Sequence, residues 1–238
     1  MRHVEHVMGM AVVVELRDDE RPDAVARVFD WLRDVDETFS TYKETSEISR
    51  LGRGELAPEN AREDVREVLA RCEALRERTG GYFDLRATGT LDPSGLVKGW
   101  SVDRAAAILD EAGIRSYAVN AGGDMVVRGG GWRIGIQHPH ERDKVAKVVV
   151  ADELAIATSG AYERGAHVVD PHTRRPPEGV LSVTVTGPEL ATADAYATAA
   201  FAMGENGPRW TARLGGGYEA MTILADGRVL TTAGFPAV

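Results

Sequence analysis

What most restricts the fold is the order in which two hydrophobic periodicities appear along the chain. Val25, Val28, Phe29, Leu32 and Val35 recur at the spacing of one helix face within 24–39. A second stripe, Val65, Val68, Leu69, Cys72 and Leu75, predicts a helix over 58–79 that ends at Gly80-Gly81. A third helix is expected over 98–112, stopped at Gly113. From 117 to 186 the pattern changes to short β-rich runs: YAVN, DMVVR, WRIGIQ, KVVVA, LAIAT, HVVDP and LSVTVT. A fourth helix is expected over 192–203 and a short fifth over 208–214. A last hairpin pairs 220–224 with 229–232 across Asp226-Gly227. The stretch 4–16 reads as one opening strand, and 40–51 as polar turn. Helices first and strands afterwards predict an α+β fold, with helices on a largely antiparallel or mixed sheet rather than a doubly wound parallel one. No fixed-period repeat, linker or break in composition divides residues 1–238, so one domain is expected.

Charge then excludes some functions. The 238 residues carry a net charge of −9 and no basic run. Non-specific nucleic-acid binding needs basic patches that neutralise phosphates, so nucleic acid is not an expected partner. The start of the chain, MRHVEHVMGMAVVVEL, has no long apolar segment, which predicts a cytoplasmic protein without signal peptide, lipobox or stable membrane insertion. Cys72, the single cysteine, sits on a helical stripe and reads as a small buried hydrophobe.

Three local patterns carry candidate chemistry. In ADAYATAAFAMG (193–204), Asp194 and Thr198 stand four residues apart in an alanine-rich helix, which stacks a carboxylate and a hydroxyl on one face. Such hard oxygens suit Mg²⁺ held against a phosphate, although Asp194 could equally be a residue favoured by the helix dipole and Thr198 a back-bonded hydroxyl. In DPSGLVKGWSVD (92–103), a loop runs into a helix start whose free amides, with Lys98 nearby, could meet a phosphate. Asn120–Asp124 contains Gly-Gly and either cradles an anion or makes a tight turn. The histidines show no zinc spacing, and Ser159 lies in Thr-Ser-Gly rather than a hydrolase nucleophile elbow.

In order along the chain stand Met8-Gly9, STYKETSEIS (40–49), Gly81-Tyr-Phe-Asp84, residues 92–103, residues 120–124, Thr158-Ser-Gly-x-Tyr162, His167-Val-Val-Asp-Pro171 and residues 193–204. Together these blocks resemble the FAD:protein FMN transferases, the ApbE-type flavin transferases. The resemblance implies binding of FAD with Mg²⁺ and transfer of FMN from FAD to a Ser or Thr hydroxyl of an acceptor flavoprotein, with release of AMP. Some members of that family instead hydrolyse FAD to FMN and AMP, and a non-catalytic FAD-binding protein is a further reading. By position, Asp194, Thr198, the Gly95 carbonyl and Ala197 are expected to hold the metal. Met8, Tyr42, Tyr82, Phe83, Asp84, Asp92, Lys98 and Val168 are expected to line the FAD in a cleft between the helical and strand-rich parts. His167 or Asp170 is expected to assist the acceptor hydroxyl or to orient the phosphates. The chain departs from the family pattern at Met10, at Pro93-Ser94 and at Arg174, where many relatives have Thr, Leu-Gly and Gly.

Overall fold

The structure, a computed structural model, describes residues 1–18, 20–141, 143–160 and 168–236. Its framework is an eight-stranded sheet in the order Arg2–Val7, Met10–Leu16, Tyr117–Ala121, Asp124–Arg128, Leu154–Gly160, Val180–Gly187, Glu219–Leu224 and Val229–Thr231, in which every neighbouring pair is antiparallel. The α+β expectation is met.

The opening segment is a hairpin rather than one strand. β1 (Arg2–Val7) folds back on β2 (Met10–Leu16), with Val7 opposite Met10. Met8 and Gly9 make the two-residue turn at φ 56° and 71°. Two consecutive left-handed residues match the twist of antiparallel strands, and the second is the glycine that tolerates it freely.

Four helices follow before the sheet resumes. α1 (Pro22–Phe39) starts on the pre-set φ of proline and buries its predicted stripe. The polar stretch after it contains a short α2 (Glu47–Gly52), whose Ser46 hydroxyl accepts the Ser49 amide at 3.1 Å. The predicted helix over 58–79 divides: a 3₁₀ turn, Pro58–Asn60, is separated by extended Ala61 from α3 (Glu63–Arg78). α4 (Ser94–Glu111) begins four residues earlier than the sequence suggests. Trp31 and Phe39 of α1 meet Trp100 of α4 at 5.2 and 5.3 Å between ring centres, which fixes these two helices side by side.

β3 (Tyr117–Ala121) and β4 (Asp124–Arg128) form the next hairpin. A separate two-stranded sheet, β5 (Trp132–Gln137) with β6 (Val145–Ala151), leaves the main sheet before β7 (Leu154–Gly160) returns beside β4. β8 (Val180–Gly187), α5 (Leu190–Ala202), α6 (Gly207–Thr211), β9 (Glu219–Leu224) and β10 (Val229–Thr231) complete the chain. The HVVDP run is not a strand in its described part. Asp170 instead closes a turn by a lone bridge to Arg175, and its carboxylate accepts the His172 amide at 2.9 Å and the Thr173 hydroxyl at 3.0 Å.

Strand alternation sends side chains to two faces. On one, Val12, Val14, Val119, Val126, Ala155, Ala157, Val183 and Val185 join the helices in the main core. On the other, Val127, Ile156, Met221 and Ile223 pack under Trp132, Ile134, Ile136 and Val149 of the β5–β6 hairpin. Among the described residues no helix is long and apolar enough to cross a membrane.

Candidate active site at the crossing of two helices

The site is organised by α5, which is buried almost all round. Its alanines leave little side chain on any face, so neighbouring backbone can come close. α4 does so at Gly99: a Cβ there would stand 2.6 Å from the Leu190 carbonyl oxygen, so only glycine fits. One turn further along α4, the Asp103 carboxylate accepts the Leu190 and Ala191 amides at 2.9 and 2.8 Å. These are the otherwise unsatisfied amides that open α5. The two helices are thus locked by a backbone contact and a cap.

The lock places Asp194, only 2% exposed, against α4. Its Oδ2 accepts the Gly99 amide at 3.3 Å, and its Oδ1 lies 3.6 Å from Lys98 Nζ. Lys98 reaches further, to 2.5 Å from Oδ2 of Asp124. That second carboxylate is 1% exposed, and its Oδ1 accepts the Thr158 amide at 2.9 Å, continuing the β4–β7 ladder by a side chain. Among the described residues, Oδ2 of Asp124 has no donor in hydrogen-bonding direction despite the nearby ammonium. Two buried carboxyl groups therefore flank one lysine among the described residues. Burial first, and then the neighbouring Asp124 charge, hold the Asp194 carboxyl well above the usual carboxylate range, with Lys98 opposing.

Thr198 sits one turn beyond Asp194. Its hydroxyl lies 3.3 Å from that of Ser159 on β7, and 3.7 Å from where a Cβ on Gly95 would stand. The Phe83 ring comes to 3.2 Å of the same point. Gly95 belongs to the first turn of α4, and Asp92 accepts the Ser94 amide there at 2.9 Å. At the other end of this row, the Met8 sulfur lies 3.8 Å from the Ser101 hydroxyl, which itself donates to the Lys98 carbonyl at 2.8 Å.

Of the residues singled out by sequence, Met8, Phe83, Asp92, Gly95, Lys98, Asp194, Ala197 and Thr198 gather around the α4–α5 crossing. Others stand apart. Tyr42 is 95% exposed between α1 and α2. Asp84 accepts the Arg86 amide at 2.7 Å and faces Arg76 at 3.4 Å. Val168 is half-buried against the main core, and Asp170 lies in its turn. Tyr82 packs edge-on against His172 with ring centres 4.6 Å apart. His167 lies outside the described residues. Asn120–Asp124 forms the β3–β4 turn, in which the Gly123 amide donates to Asn120 Oδ1 at 3.0 Å and Gly122 abuts the Met10 sulfur.

Sequence reading missed Asp103, Asp124 and Ser159 as parts of this centre. Among the described residues no three His, Cys, Asp or Glu side chains cluster as a metal site. The donors here are oxygens: two buried carboxylates, the Thr198 and Ser159 hydroxyls and adjacent backbone. An oxygen-only set suits a hard cation such as Mg²⁺ and not a thiolate- or imidazole-seeking metal.

A model of the ApbE family matches residues 8–89 and 85–222. A FAD:protein FMN transferase of Rhodobacter capsulatus is 35% identical over 193 residues, covering 74% of this chain and 37% of that protein. Another from Vibrio cholerae is 38% identical over 130 residues, covering 48% of this chain and 39% of that protein. This chain thus spans well under half the length of these two relatives. One from Treponema pallidum is 30% identical over 202 residues, covering 71% of this chain and 56% of the relative. The same fold occurs in an ApbE protein of Thermotoga maritima, at TM-score 0.85 and 22% identity, covering 99% of this chain and 97% of that one. It also occurs in the flavin transferase ApbE of Vibrio cholerae, at TM-score 0.85 and 24% identity with the same coverage. With the matched segments running through every element that builds the helix crossing, the chain belongs to the ApbE family.

Proposed function

We propose that this chain, acting as one unit over residues 1–238, transfers FMN from FAD to a Ser or Thr hydroxyl of an acceptor protein. The acceptor oxygen forms the new bond to the FMN phosphorus, the bond from that phosphorus to the AMP oxygen breaks, and the hydroxyl proton passes to a base. The observation that carries this reading is the Asp194–Thr198 pair, a buried carboxyl and a half-buried hydroxyl one turn apart against the first turns of α4, in a member of the ApbE family.

Phosphoryl chemistry of this kind rests on positioning and charge neutralisation more than on covalent help. Asp194 and Thr198, with backbone oxygen of Gly95 and Ala197, would hold Mg²⁺. When bound, that ion would neutralise phosphate charge. Lys98 adds a point charge, and its tie to Asp124 holds its ammonium at the crossing. Met8, Tyr42, Tyr82, Phe83, Asp84, Asp92 and Val168 are the proposed remainder of the FAD site. His167 and Asp170 are the proposed groups that receive the acceptor proton or orient the phosphates.

The test is to incubate the chain with FAD, Mg²⁺ and a Thr-containing acceptor, weigh the acceptor and measure AMP. Equal amounts of covalent FMN and AMP are expected, both abolished by a chelator. Asp194→Asn should lower the rate by about 10²-fold or more, the size of effect seen on losing a pre-organised charge-stabilising group. Free FMN with AMP would replace transfer by FAD hydrolysis. Bound FAD without AMP would leave only a binding protein.

A further inference from the structure

Behind the strap that carries Tyr82 lies a second concavity, outside the helix crossing. It is a cleft of about 470 Å³ between the end of α3 and α6. Arg78, Arg209 and Arg213 line it, with Trp210 and Tyr82 as aromatic walls and Glu77 as its one acid. In a chain of net charge −9 this is a local excess of positive charge. By contrast, several arginines on or beside α1 and α3 meet carboxylates: Arg33 pairs with Glu5 and Asp30, Arg62 with Asp34 and Asp64, and Arg71 with Glu189. Arg78 donates instead to the neutral Tyr196 hydroxyl at 2.9 Å. Arg209 on α6 and Arg213 in the turn just after it line the same cleft and meet no carboxylate among the described residues.

The cleft adjoins the candidate site. Gly80 and Tyr82 line it, and on their other side the Gly80 carbonyl lies 3.1 Å from His172 Nε2 while the Tyr82 ring packs on the same imidazole. The next residue, Phe83, reaches the Gly95–Thr198 contact. Whatever lies in the cleft is therefore separated from the helix crossing by one strap of backbone. The three arginines are exposed rim groups, and the buried Thr79 in the lining spends its hydroxyl on the Leu75 carbonyl at 2.8 Å. Exposed charges of this kind act at a distance, speeding encounter and selecting partners by sign. Guanidinium groups beside an indole also suit side-chain carboxylates and extended backbone.

We propose that this cleft docks an acidic segment of the acceptor polypeptide, next to the hydroxyl that receives FMN. The proposal rests on the transferase reading, and it names what that reading leaves open, the feature by which an acceptor is chosen. It requires negative charge flanking the target hydroxyl, and binding that weakens with salt.

The experiment uses two labelled peptides sharing one Thr-containing core, flanked by Asp in one and by Asn in the other. Their affinities are measured by fluorescence anisotropy, together with the KM and kcat of FMN transfer, on the wild type and on Arg209→Ala/Arg213→Ala. The wild type should bind the Asp peptide about tenfold more tightly than its Asn twin, with the preference lost at high salt. The double variant should lose the preference through KM, with kcat, FAD affinity and melting temperature unchanged. Equal binding of the two peptides by the wild type overturns the proposal even if FMN transfer proceeds. A fall in FAD affinity in the double variant also overturns it, by assigning the cleft to the nucleotide. Selective binding of the Asp peptide without any FMN transfer upholds the docking surface and refutes the transferase reading instead.

Discussion

The two faces of the large sheet make an instructive contrast. One face is covered by α4 and α5 and contains Asp103, Asp124, Asp194 and Lys98, with the Ser159 and Thr198 hydroxyls between them. The other is covered by a two-stranded flap whose inward residues are Trp132, Ile134, Ile136 and Val149. The same strands serve both faces, since alternation sends neighbours such as Val126 and Val127 to opposite sides. The apolar face can therefore stabilise strands whose other side holds charges that cost stability. Polar chemistry and mechanical support are separated by one residue of register.

Three measurements press on that separation. The largest effect is expected at Trp132, whose indole donates to the Arg128 and Gly129 carbonyls and lies under the Arg17 guanidinium, 3.3 Å from ring centre. Trp132→Ala should lower unfolding free energy by about 3–5 kcal/mol in denaturant titration and leave FAD affinity unchanged. Loss of FAD affinity in step with stability would show that the two faces are not independent.

Asp103 comes next. Burial pushes its carboxyl up to about 6, against the pull of the Ala191 and Leu190 amides. The folded chain thus holds this proton more tightly than the unfolded chain does. Its favourable contribution is complete below about pH 4 and is lost as pH rises to about 6, a change of about 3 kcal/mol across the window. Asp103→Asn should flatten that part of the stability–pH curve, while Trp132→Ala should shift the curve without changing its slope there. A slope unchanged in Asp103→Asn would remove this carboxyl as its source.

The smallest change is at Gly99. Gly99→Ala forces a methyl against the Leu190 carbonyl and should cost about 1–3 kcal/mol. It should nevertheless weaken FAD binding more than Trp132→Ala does, because it moves α4 against Asp194. Equal FAD affinity in the two variants would show that the crossing does not shape the site.

Much of this arrangement was legible from short-range pattern. The stripes of α1 and α3 bury as their spacing predicts, and the Asp194–Thr198 interval marks one face of α5. The Met8-Gly9 turn was hidden because apolar residues flank it on both sides and no Asn-Gly or Asp-Gly announces it. The early start of α4 was hidden because Gly95 and Gly99 are poor helix formers, overridden here by the Asp92 bond to the Ser94 amide and by packing against α5. Asp103, Asp124 and Ser159 gain their meaning from partners 87, 34 and 39 residues away in sequence. No local spacing encodes such contacts.

The main sheet is open, and its two outermost strands differ in how they meet solvent. β10 has three residues, all exposed. β1 is twice as long but displays Arg2 and His6 on its exposed face, with Glu5 half-buried on the opposite one. A foreign strand seeking to extend the sheet would find too few backbone partners at one end and a charged border at the other. The protein is thereby guarded against edge-to-edge aggregation without closing into a barrel, and its lateral growth stops at the eighth strand.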